Sequence, residues 1–138
     1  MRERGVNFSK REYAILEGWK LEFNKIASRN PKEGFANIVK TKNSVVEGVL
    51  YTVQESDIEK LDKYEGYPNH YEKIKVRVKL KNGEEVETII YIAKSIAKSN
   101  KVRKGLKPSK EYLNHLLKGC DLLSKEYCKR LKRWQTLD

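Results

Sequence analysis

The sequence predicts an α+β fold. Three observations carry that reading: a hairpin of alternating residues around Asn82-Gly83, a helical pattern between Asp57 and Glu65, and two capped helical patterns after Pro108. A chain of 138 residues holds one domain with a single core, and 1–138 is read as that domain.

The elements follow in order. Trp19 to Phe23 alternates apolar and polar, as a half-buried strand does. Ile26 to Gly34 contains Asn30-Pro31 and Gly34, so a loop is expected. Phe35 to Val39 is a short strand. Val45 to Val53, rich in Val and Tyr, is a stronger one, and Gly48 inside it suggests close approach of another backbone, or a bulge. Ser56, with Glu59 three residues on, makes a capping box. The helix it opens has Ile58 and Leu61 as its apolar face and stops at Gly66 and Pro68. From Tyr71 to Lys81, Ile74, Val76, Val78 and Leu80 face one side and Lys73, Lys75, Arg77 and Lys79 the other. Asn82-Gly83 is the strongest hairpin signal, and Val86 to Ala93 is the return strand. Lys94 to Lys107 is a lysine-rich connection, expected to be mobile. Ser109 caps a helix with Tyr112, Leu113, Leu116 and Leu117 as its buried stripe and Gly119 as its stop. Ser124 caps the last helix, with Tyr127, Cys128, Leu131 and Trp134 on its apolar face.

Composition excludes several classes. No apolar run approaches the ~18 residues of a membrane span, and Met1 is not followed by the apolar stretch of a signal peptide. A cytoplasmic protein is therefore expected, with no membrane partner. Cys120 and Cys128 lack the paired ligands of a zinc site, so no metal is expected; in a reducing compartment both read as small packing residues rather than a disulfide. Thirty basic residues against nineteen acidic give a net charge of +11. The lysines spread over strands and final helices without a nucleic-acid motif, so the charge reads as solvated surface, and nucleic acid is not expected as a partner.

The chemistry concentrates at Leu61-Asp62-Lys63-Tyr64-Glu65-Gly66-Tyr67-Pro68 and Tyr71. Glu65 falls where a helical pattern meets its glycine stop. A carboxyl there can turn into a pocket rimmed by Tyr64, Tyr67 and Tyr71, where poor solvation raises its pKa into a useful acid/base range. The plainer reading makes it an ordinary residue of the last helical turn. Asp62, one turn earlier, reads as a surface residue, or as a neighbour raising the Glu65 pKa. His70 is near in sequence, and His115 reads as structural.

The ordered set Gly34-Phe35-Ala36-Asn37-Ile38, Val46-Glu47-Gly48-Val49-Leu50-Tyr51, Leu61-Asp62-x-x-Glu65-Gly66, Tyr71, Tyr91-Ile92-Ala93 and Pro108-Ser109-x-x-Tyr112-Leu113 resembles the gamma-glutamylcyclotransferase family and its AIG2-like relatives, from about Gly18 onward. The resemblance implies a small mixed β-barrel of about five strands with flanking helices. It implies cofactor-free conversion of a γ-glutamyl amino acid or amine to 5-oxoproline, with Glu65 as general acid/base. Tyr71, Tyr112 and Gly34 would bind substrate, although the tyrosines also suit a core and Gly34 a turn. The family's opening Tyr-Gly-Ser-Asn strand, the substrate cradle, is absent from this chain. Met1 to Gly5 looks like the end of the helix that follows that strand, so the strand is lost or Met1 is internal to a longer protein. Weak activity and a homodimer or swapped assembly are the expected consequences. A non-catalytic module that binds a small ligand or a protein is the alternative.

Overall fold

The computed structural model describes residues 8–27, 29–65, 71–93 and 102–138, position 65 by its backbone alone. Four strands form one antiparallel sheet in the order β2-β1-β3-β4: β1 is Phe8–Ala27, β2 Asn30–Val53, β3 Tyr71–Leu80 and β4 Glu85–Ala93. A 3-10 turn, Glu55–Asp57, leads into α1, Ile58–Glu65. After β4 come α2, Lys110–Leu116, a second 3-10 turn, Leu117–Asp121, and α3, Lys125–Lys132.

Two strand segments expected on either side of a break are one long strand. Asn30-Pro31 opens β2, and Asn30 pairs with Ala27. β2 lies at the sheet edge, the place where a proline costs no ladder bond. The ladder runs from there to Val53 with two large irregularities: Ile26 faces Gly34 while Ala27 faces Asn30, and Glu17 faces Val45 while Trp19 faces Lys40. Residues 41–44 therefore bulge opposite Gly18, with Gly18 (φ +84°) and Asn43 (φ 66°) both left-handed. Glycine and asparagine are the residues that tolerate that conformation.

Among the described residues the expected barrel is not closed. The sheet has four strands and is not closed by a ladder. Its edge strands approach each other where Ala93 N in β4 donates to Asn37 Oδ1 in β2 at 2.7 Å. β1 and β3 pair only through Ala14↔Leu80 and Ile15↔Lys79, whereas β3 and β4 pair along nine positions, Tyr71↔Ala93 to Lys79↔Glu85. The core sits in the concavity. Ala14, Leu16 and Val78 are buried, with Trp19, Ile38, Val46, Leu50, Val76 and Ile90 packed on them. The hairpin is formed as the sequence predicts: Gly83 has φ +88°, and Glu84 N donates to Asn82 Oδ1.

Both serine caps form. Ser109 accepts from Tyr112 N and Ser124 from Tyr127 N. Two expectations about helix termini, and one about a connection, need correction. The helical turn begins before Ser56, which lies inside the 3-10 segment, with Gln54 at the cap position and no side-chain cap bond. Gly119 does not stop its helix, because the chain tightens into a 3-10 turn that runs through it. Residues 94–101 of the lysine-rich connection lie outside the described residues, but the rest is pinned. Val102 bridges Lys25, Arg103 N donates to Asn24 O, and Pro108 is fully buried.

Cys120 and Cys128 are joined in a disulfide, not held as separate packing residues. The 3-10 turn and the capped start of α3 fold the chain back until the two Cα atoms are 5.9 Å apart, within the range a disulfide needs. The expected compartment and the eight-residue spacing say nothing of this geometry. Among the described residues no helix is long and apolar enough to cross a membrane.

Candidate active site

The sheet and α1 line an open cavity of about 590 Å³. β1 contributes Ala14, Leu16 and Leu21. β2 contributes Ala36 to Ile38 and much of Val46 to Tyr51, β3 Val78, β4 Glu87 to Tyr91, and α1 Ile58 and Leu61. Ile58 and Leu61 reach it because the α1 pattern puts its two apolar residues on one face. Position 65 is four residues beyond Leu61 and seven beyond Ile58, so it falls on that same face. The side chain of Glu65 lies outside the described residues, as do Tyr67 and His70.

Of the expected rim, Tyr64 is 58% exposed. It lies about 100° round the helix from position 65, which turns it to solvent and not to the pocket. Tyr71 begins β3, half-buried, with Lys25 Nζ 5.7 Å from its ring centre. Tyr112 accepts from Ala36 N through its hydroxyl at 3.0 Å, and its ring packs on Phe35 at 4.8 Å. It thus stands behind the β2 wall of the cavity. Gly34 is a strand residue, not a turn glycine. A Cβ there would overlap the Phe23 carbonyl and sit 2.7 Å from Leu106 Cβ. Its N–H donates to Lys107 O at 2.9 Å, so it carries the close crossing of the 102–108 segment over β1 and β2. The structure therefore brings Tyr112 and Gly34 to the outer side of the β2 wall and Tyr71 to the end of the β3–β4 hairpin.

Asp62 is neither bare surface nor a lone neighbour of Glu65. It accepts from Tyr91 Oη at 2.5 Å and from Lys73 Nζ at 3.0 and 3.2 Å. Burial disfavours its charge, but the Tyr91 hydroxyl and the Lys73 ammonium outweigh that and hold its carboxyl below the usual range. The bond set ties α1 to both strands of the β3–β4 hairpin and fixes how the helix lies over the cavity. Lys73 belongs to the polar face of β3 by alternation, and nothing in the sequence marks it as Asp62's partner.

Two more residues were missed. Asn37, 7% exposed, accepts from Ala93 N and donates through Nδ2 to Asn24 Oδ1 at 2.9 Å, joining β2, β4 and β1. Lys25 is 5% exposed and donates to Ile26 O at 2.9 Å. Its place on the buried face of β1, in step with Phe23 and Ala27, was the available signal. His115 is on the exposed side of α2. Among the described residues no group of His, Cys, Asp and Glu is arranged to hold a metal ion.

Comparison with known proteins agrees with this architecture. A crystal structure of an uncharacterised protein from Homo sapiens, 25% identical, superposes with a TM-score of 0.78 over 92% of this chain and 75% of that one. A protein described as gamma-glutamyl cyclotransferase, 24% identical, gives 0.80 over 96% of this chain and 77% of that one. YkqA from Bacillus subtilis, 23% identical, also gives 0.80, over 96% of this chain but 47% of its own length. At these identities the last two show the shared fold alone. No curated protein matches the sequence. The AIG2-like family model matches residues 45–131, from the second half of β2 through α1 and both later strands into α3. With more than half of the chain matched and the gamma-glutamyl cyclotransferase fold shared, the chain belongs to the AIG2-like family.

Proposed function

We propose that the protein converts a γ-glutamyl amino acid or amine to 5-oxoproline, with Glu65 as general acid/base. One observation carries the reading: position 65 ends the helix whose Ile58 and Leu61 line the cavity, inside the span that the AIG2-like family shares. The substrate's α-nitrogen attacks its own γ-carbonyl carbon, the lactam C–N bond forms, and the bond to the departing nitrogen breaks. The α-ammonium gives up two of its three protons, and the departing amine takes both up. One carboxyl near neutrality can carry a proton each way. Since nucleophile and electrophile share one molecule, the protein has mainly to fold the substrate and favour the oxyanion. No cofactor or metal enters this chemistry.

Glu65→Gln keeps the shape of the side chain and cannot carry the proton. Its release of 5-oxoproline should fall by roughly 10²–10⁴-fold with the thermal midpoint unchanged. Release within a few-fold of the parent would remove Glu65 from the role. A parent chain that binds γ-glutamyl compounds and turns none over would favour the non-catalytic alternative.

A further inference from the structure

Gly48 is the least expected residue of the cavity wall. It lies mid-strand in regular register, directly opposite Ala14. Glycine there weakens a strand relative to alanine, so it is normally kept for a bulge or a close backbone approach. Neither exists here. A Cβ built on Gly48 meets nothing within 4 Å, and no left-handed φ requires glycine. Opposed residues of an antiparallel pair share a face, so Gly48 points to the same side as Ala14, into the concavity that both line. Two of the smallest side chains thus lie side by side in the cavity wall, and the space above them is open.

The chemistry of that space is apolar. Leu16, Val46, Leu50 and Ile90 surround the Ala14–Gly48 pair. Two of the polar groups are already engaged: both ends of the Asn37 amide are bonded within the protein, and the Tyr91 hydroxyl is held by Asp62, while Glu87 and Thr88 are polar side chains of the β4 wall. At about 590 Å³ the cavity is in the ~300–1,000 Å³ range of small-molecule pockets. A cavity walled this way gains little by holding water and much by holding hydrocarbon.

We infer that the cavity takes an apolar group, the alkyl or aryl part of the amine released from the γ-glutamyl amide, and that Gly48 sets how long that group can be. The inference rests on the cyclotransferase reading for the substrate's other half. It is tested with γ-glutamyl n-alkylamides from methyl to octyl, following 5-oxoproline release by the full chain. kcat/KM should rise by about two- to fourfold per methylene until the cavity is full. Gly48→Leu, which fills the open space, should cut the hexyl-to-methyl ratio of kcat/KM at least tenfold. Gly48→Ala, the milder change, should lower it less and serves if the leucine variant does not fold. A flat or falling series in the parent, or a folded Gly48 variant with an unchanged ratio, overturns the inference while leaving the cyclotransferase reading intact. If no amide is turned over, that reading fails, and the cavity is tested by calorimetry with free n-alkylamines on the same chain. Affinity that climbs with chain length and drops in the Gly48 variants upholds an apolar site; affinity independent of length removes it.

Discussion

A methyl group added at Gly34 would collide with the Phe23 carbonyl and the Leu106 side chain; the same addition at Gly48 meets open space. Backbone cannot yield as a flexible side-chain end can, so Gly34→Ala should cost about 3 kcal/mol. Gly48→Ala should be neutral or gain roughly 0.5–1 kcal/mol. Urea denaturation of the two variants checks both, and equal effects would refute the distinction. The carboxyls give a second residue-scale expectation. Asp62 is held low by Tyr91 and Lys73 against the effect of burial, Glu33 by the Arg29 guanidinium, and Asp121 by the Arg11 guanidinium. Each is lowered on folding, so its contribution is complete above the ordinary value, 3.8 for Asp and 4.5 for Glu, and is lost as pH falls through that value toward the folded one. The thermal midpoint should be level from pH 7 to about 5 and fall steeply below about 4. Asp62→Asn should cost about 1–2 kcal/mol at pH 7 and flatten part of that acid limb. A midpoint insensitive to acid would contradict the ion-pair assignments. Neither glycine role was legible in the sequence, because glycine marks freedom or smallness without saying which, and only the neighbouring atoms decide.

Among the elements, those with local causes were readable. Asn82-Gly83 needs only its own turn, and Ser109 and Ser124 only the N–H groups three residues on, so these formed as the pattern predicts. The continuity of β2 was not readable. Phe35 to Val39 and Val45 to Val53 read as separate strands, yet β1 pairs with both and the extra residues bulge opposite Gly18. Long-range pairing overrides a local signal of that size. The C-terminal helices show the same dependence on distant partners. Ser124 N and Oγ both donate to Glu47 of β2, at 2.8 and 2.7 Å, and the Arg11 guanidinium donates twice to Asp121. The disulfide closes the short loop from Cys120 to Cys128 that contains both Asp121 and Ser124. A loop of this size limits the unfolded chain by about 2.5 kcal/mol in the loop-entropy account. Replacing both cysteines by serine should therefore lower stability by about 2 kcal/mol, and dithiothreitol should lower the parent's midpoint while leaving the double variant unmoved. A parent indifferent to reductant would show that the bond adds no stability.

For the whole molecule, the candidate site was half legible. The helix-stop placement of Glu65 and the family order pointed to α1 and its cavity, but the residues that hold the cavity together come from strands far apart in sequence. Asn37 with Ala93 and Asp62 with Lys73 and Tyr91 are such pairs, and no spacing rule finds them. The same scale bears on assembly. Past Ile15↔Lys79, β1 and β3 diverge, and among the described residues β1 from Leu16 to Phe23 and β3 from Ile74 to Val78 have no ladder partner on their facing edges. Unpaired N–H and C=O groups along an edge recruit another strand, so we propose association of two copies through this region. The net charge of +11 opposes it, because two such chains repel at low ionic strength. Salt screens that repulsion over about 10 Å at 0.1 M and about 3 Å at 1 M, while hydrogen bonds between strands are little affected. Light scattering at a fixed concentration should thus show a mass that rises from monomer toward dimer between low and high salt. A charge-driven contact would dissociate over the same range. Proline substituted at Lys20, in the middle of the unpaired stretch of β1, should weaken the dimer if its N–H lies on that edge. Should the chain stay monomeric at every ionic strength at tens of micromolar, these edges are covered within one copy and the proposal fails.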